Sequence, residues 1–96
     1  MKSDASMKRI AVFASGNGSN AENIIRYFNT GAGAPSHGAE VVLVVCNRPG
    51  AAVIDKARAL GVPVSIVTRE MFNDEASMTA LLESRAVDAI VLAGFL

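Results

Sequence analysis

The chain has 96 residues, 51% of them hydrophobic but only 5% aromatic with no Trp, and its formal net charge is zero. A chain of this length forms one domain or part of one and buries roughly 60–70% of its unfolded surface, so the expected core is aliphatic and modest. The charge balance and the lack of a Lys/Arg run argue against nucleic acid or an anionic membrane as partner, and a lone Cys46 offers neither an intrachain disulfide nor a Cys/His zinc cluster.

Residues 1–7 read as a flexible polar tail without the apolar segment of a signal peptide, Met7 being an alternative start. No apolar run reaches the length of a membrane span. A single unpaired Cys suits a reducing, cytoplasmic setting. The folded part is expected over 8–96.

A first strand is predicted over about 9–14. Ile10-Ala11-Val12-Phe13-Ala14 is apolar on consecutive residues, which fits a parallel strand covered on both faces. The turn Ser15-Gly16-Asn17-Gly18-Ser19-Asn20 follows. Ala21, Ile24, Ile25 and Phe28 then recur at helical spacing, predicting a helix to Asn29, with Ser19 and Glu22 placed as a capping box. Thr30–Gly38, rich in Gly, Pro and Ser, reads as a loop. Val41–Cys46 is a β-branched second strand. Asn47-Arg48-Pro49-Gly50 is a turn, and a helix runs from about Ala52 to Leu60 with Gly61 as its stop. Pro63–Val67 is a third strand, placed at an edge by Pro63. Asn73 or Asp74 caps a helix carrying Met78, Leu81 and Leu82. Ala89–Ala93 reads as the most buried strand of all.

Strands and helices therefore alternate as β-α-β-α-β-α-β. This predicts a Rossmann-like α/β fold: a parallel sheet with helices on both faces, right-handed crossovers and strand order 3-2-1-4. The fourth strand would then lie beside the first with its outer edge uncovered, a surface suited to self-association. The expectation is the N-terminal half of a longer domain, truncated after Leu96; a complete four-stranded domain is the alternative.

The strand–glycine turn–helix order makes an anion site. Glycines let the backbone approach a ligand closely, and a helix start presents unpaired N–H groups with a partial positive charge. Gly16-x-Gly18-x-x-Ala21 matches the dinucleotide fingerprint, but the second strand ends Cys46-Asn47-Arg48, without the carboxylate that holds a ribose. No Gly-Lys-Ser/Thr follows, so a P-loop is excluded as well. A monophosphate cradle remains, built from Gly18, Ser19 and Asn20. The alternative is that these residues only turn the chain and cap a helix. Glu22, one turn along, would repel an anion and is expected to point away.

The run Ala14–Asn20 with Ile24-Ile25, the block Val45–Ala51 and the block Val91–Leu96 together resemble the phosphoribosylglycinamide formyltransferase family over about residues 8 to 96. The resemblance implies formyl transfer from 10-formyltetrahydrofolate, as co-substrate, to glycinamide ribonucleotide in purine synthesis, without metal or NAD. It implies that Gly18, Ser19 and Asn20 hold the substrate phosphate. It also implies that Leu96, in place of the commoner Met, begins the folate wall, an apolar exchange of small cost. Where the family often carries a basic residue near the third helix, a gapless alignment puts Glu75, and no folate contact is assigned there. The family's catalytic Asn, His and Asp are expected beyond residue 96, so no catalytic residue is assigned and the 96-residue chain alone is expected to be inactive. His37 lies in the loop, Cys46 reads as core, Asp88 sits at the far end of the fourth strand, and Arg48 is a candidate helper for the phosphate. A stand-alone phosphate-binding module without catalysis is the rival reading.

Overall fold

A computed structural model describes residues 8–29 and 38–94. The tail expected over 1–7, the greater part of the predicted loop with His37, and Leu96 lie outside the described residues. Four strands, β1 (Lys8–Phe13), β2 (Ala39–Cys46), β3 (Val64–Ile66) and β4 (Ala89–Leu92), pair in parallel in the order β3-β2-β1-β4. The helices are α1 (Ser19–Asn29), α2 (Ala52–Ala59), α3 (Arg69–Asn73) and α4 (Glu75–Ser84).

The consecutive apolar residues of β1 divide between two cores. Ile10, Val12 and Ala14 pack with Ala21 and Ile25 of α1 and Val53, Ile54 and Ala57 of α2. Ala11 and Phe13 pack with Leu43, Val45, Val67 and Met78, and Leu81 and Leu82 of α4 close over them. Each fully buried Val, Leu or Ile contributes about 1.5–3 kcal/mol. Strands one and two are therefore held from both sides, as the unbroken apolar runs require.

The register between β1 and β2 slips from Ile10↔Val41 to Ala11↔Leu43, so Val42 is a bulge that the sequence pattern does not reveal. β3 pairs only with Val44–Cys46, which leaves Val41 without a strand neighbour on that side. Asn29 fills the gap. Its Nδ2 donates to the Val41 carbonyl and its Oδ1 accepts the Val41 N–H, both at 2.8 Å. The end of α1 is thereby tied to the middle of the sheet.

Two expectations need correction. β4 reads as the most buried strand, yet Ile90 is 48% and Leu92 71% exposed. They stand beside Ala11 and Phe13 at the outer edge of the α4-covered face, and only Val91 and Ala93 reach the other core. Edge position outweighs composition here. The third predicted helix is two helices: α3 is capped by Thr68, whose Oγ1 accepts the Met71 N–H at 3.0 Å. Asp74 precedes α4 but binds the Ser77 hydroxyl (2.6 Å) rather than a backbone N–H.

Gly61 does end α2, with φ +80° and Val62 N–H donating to the Ala57 carbonyl at 3.0 Å. α4 ends the same way with Ala86 in the left-handed position, φ 53°, and Val87 N–H on the Leu82 carbonyl at 3.0 Å.

Candidate functional site

Beyond β1 the chain stays tied to the sheet for two residues. Ala14 N–H donates to the Val45 carbonyl (2.9 Å), and Ser15 donates twice to the Gly94 carbonyl, from N–H (3.3 Å) and from Oγ (3.0 Å). Ser15 is buried. The exits of β1 and β4 are thus joined where the strand order reverses, the place at which open α/β sheets bind ligands.

Gly16 and Gly18 both have positive φ, +87° and +78°. Gly18 is required for a second reason. A Cβ there would fall 2.6 Å from Cβ and Cγ2 of Val53 and 2.7 Å from its Cα. The Gly16 carbonyl also accepts the Val53 N–H at 3.2 Å. The turn therefore rests directly on the first turn of α2. Val53 looks like an ordinary core residue in the sequence, and only the packing exposes this support.

The predicted capping box does not form. α1 already starts at Ser19, and the Gly18 carbonyl takes the first helical bond, from Glu22 N–H at 2.8 Å. The Ser19 N–H donates to Asn17 Oδ1 at 2.9 Å, an Asx turn that Asn two residues ahead of a helix start could have signalled. Glu22 turns instead toward Arg26 (3.0 Å) and Lys56 (4.0 Å), away from the turn as expected. Its negative charge is locally matched, at an energetic worth of about 1 kcal/mol or less for such exposed pairs.

Gly18, Ser19 and Asn20 are brought together at the N-terminus of an eleven-residue helix, whose first N–H groups have no intrahelical acceptor. Ser19 and Asn20 are exposed and Gly18 is buried. A phosphate oxygen that reaches the Ser19 N–H must displace the Asn17 carboxamide. Next to the turn lies a cavity of about 420 Å³, walled by Gly16 and Asn17 on one side and Arg48 to Ala52 on the other. It flanks the three predicted residues on the α2 side. Cys46 is fully buried, its Sγ 3.4 Å from both the N–H and the carbonyl oxygen of Arg48, and so is core as expected. Asp88 binds the Arg9 N–H at 3.0 Å at the opposite end of the sheet. Among the described residues, no group of three His, Cys, Asp or Glu is placed to hold a metal ion, and no helix is long and apolar enough to cross a membrane.

Residues 8–96 match the family described as formyl transferase. The chain belongs to the formyl transferase family. The phosphoribosylglycinamide formyltransferase of Bacillus subtilis (strain 168) is 36% identical over 94 residues, which are 94% of this chain and 46% of that protein. The trifunctional purine biosynthetic protein adenosine-3 of Drosophila melanogaster is 37% identical over 93 residues, 93% of this chain and 7% of that protein. The solved phosphoribosylglycinamide formyltransferase of Brucella melitensis superposes with a TM-score of 0.79 at 33% identity, covering 94% of this chain and 47% of the other. The chain thus spans about half the length of these formyltransferases and a small part of the trifunctional protein. The four-stranded parallel sheet in the order β3-β2-β1-β4 matches the fold of the solved formyltransferase from Brucella melitensis.

Proposed function

We propose that this chain supplies the phosphate-binding part of a phosphoribosylglycinamide formyltransferase, which moves a formyl group from 10-formyltetrahydrofolate to the amine of glycinamide ribonucleotide in cytoplasmic purine synthesis. The observation that carries the reading is the glycine turn, fixed on Val53 behind and on Gly94 at its side, with Gly18, Ser19 and Asn20 at the start of α1. The likeness in sequence to formyltransferases over nearly the whole chain supports it.

In this reading the N–H groups of the turn and the side chains of Ser19 and Asn20 bind the phosphate and so orient the ribosyl amine. The co-substrate lies on the β4 side of the same crevice, beginning at Leu96. Formyl transfer needs a group to take the proton from the attacking amine and donors for the oxyanion. Among the described residues, Glu22 is engaged by two cations and Cys46 is buried, so neither takes these roles; the 96-residue chain is expected to bind without turnover.

Calorimetric titration of the chain with glycinamide ribonucleotide tests the assignment. A Ser19→Leu/Asn20→Leu variant should lose the binding heat. Equal heats from the parent and this variant would remove the phosphate from the turn.

A further inference from the structure

The phosphate reading leaves a charge unbalanced, and this inference rests on that reading. A phosphate monoester carries about −1.5 to −2 near pH 7, whereas a helix N-terminus offers about +0.5. Arg26, on α1 itself, pairs with Glu22 at 3.0 Å, and Lys56 of α2 faces the same carboxylate at 4.0 Å. Arg9 is held at the opposite end of the sheet by the Arg85 carbonyl, at 2.9 Å.

Arg48 differs from all of these. It lines the cavity that Gly16 and Asn17 also line. Its backbone is anchored, because its N–H donates to Cys46 Sγ at 3.4 Å and its carbonyl accepts the Ala51 N–H at 3.1 Å. Its guanidinium makes no hydrogen bond or ion pair among the described residues. The turn thus presents a free guanidinium from a fixed base, across a cavity one side of which is the phosphate turn. A planar fork of N–H donors suits phosphate oxygens.

We propose that Arg48 is a phosphate-binding residue that reaches across this cavity to the phosphate held at Gly18–Asn20 and balances its second negative charge. Asn17, displaced from the Ser19 N–H, turns into the same cavity.

The test follows the backbone amides of Gly16–Asn20 by nitrogen-15 NMR as ribose 5-phosphate is added to the 96-residue chain. Arg48→Met should weaken binding about tenfold, the scale of one charge-assisted hydrogen bond, and should flatten its dependence on salt. Arg48→Lys should restore most of the salt dependence. Arg48 is exposed, so the spectra of both variants should match the parent elsewhere. An Arg48→Met chain that binds with the parent's affinity and salt dependence overturns the inference. Asn20→Leu reports on the reading beneath it: if Asn20→Leu also binds like the parent, or the parent amides do not move, the phosphate site itself is lost. Loss in Asn20→Leu with no change in Arg48→Met rejects Arg48 alone.

Discussion

Replacing Gly18 by Ala separates the two reasons for a glycine in the turn. Gly16 and Gly18 have nearly the same backbone, φ +87° and +78°, but differ in what surrounds them. A Cβ at Gly16 meets nothing within 4 Å, whereas one at Gly18 lies 2.6 Å from two side-chain carbons of Val53 and 2.7 Å from its Cα. Both substitutions incur the left-handed backbone cost of about 1–2 kcal/mol. Gly18→Ala alone adds overpacking, about 1–3 kcal/mol. Because one of the clashing atoms is backbone, the strain cannot be relieved by a rotamer change and must move α2 against α1. With a urea m-value of about 1 kcal/mol/M for a protein this small, the Gly18→Ala midpoint should fall roughly 1–3 M below that of Gly16→Ala. Urea unfolding followed by circular dichroism, with the m-value checked for constancy, measures this. Equal midpoints for the two variants would show that α2 does not support the turn as described.

Asn29→Ala should destabilise the chain by about 1–3 kcal/mol, since it orphans the N–H and carbonyl of Val41; hydrogen exchange at the Val41 amide should accelerate, and unchanged protection would contradict the tie. Ala86→Gly should stabilise by about 0.5–1 kcal/mol by relieving the φ of 53° at the end of α4, readable as a rise in melting temperature. Self-association through the exposed edge of β4 predicts concentration-dependent light scattering that Leu92→Lys reduces, with little effect on folding; equal scattering would move the contact elsewhere. A steady-state formyl transfer assay on the 96-residue chain should give no turnover above background, and native-like turnover would defeat the proposal that the chain binds without turnover.

The fold was legible because its signals were local and repeated. Unbroken apolar runs in β1 and β2 required two covered faces, Gly61 marked the end of α2, and Pro63 placed β3 at an edge, where it lies. What escaped was set by pairing between distant residues. The bulge at Val42 depends on register, and the service of Asn29 depends on where β3 begins. The exposure of Leu92 follows from the edge position that the strand order 3-2-1-4 predicts, against the apolar composition of β4 that reads as buried. α3 was missed because five residues carry no helical period, only the Thr68 cap. At the site, the turn was legible as strand, glycines and helix start. The strand order 3-2-1-4 also set it beside the exit of β4, where Ser15 meets Gly94. Its support by Val53 was not legible, because Gly18 meets α2 only once the chain has folded back over the sheet. Ser19 and Glu22 have the spacing of a capping box, but Asn17 reaches the Ser19 N–H first and Arg26 and Lys56 draw Glu22 away.

The central claim is that the Gly16–Asn20 turn holds a substrate phosphate. A crystal structure of the chain with glycinamide ribonucleotide tests it most directly. The account predicts phosphate oxygens within hydrogen-bond distance of the N–H groups of Ser19 and Asn20, with the Asn17 carboxamide rotated off Ser19. Phosphate density elsewhere, with the Asn17–Ser19 bond intact, would contradict it.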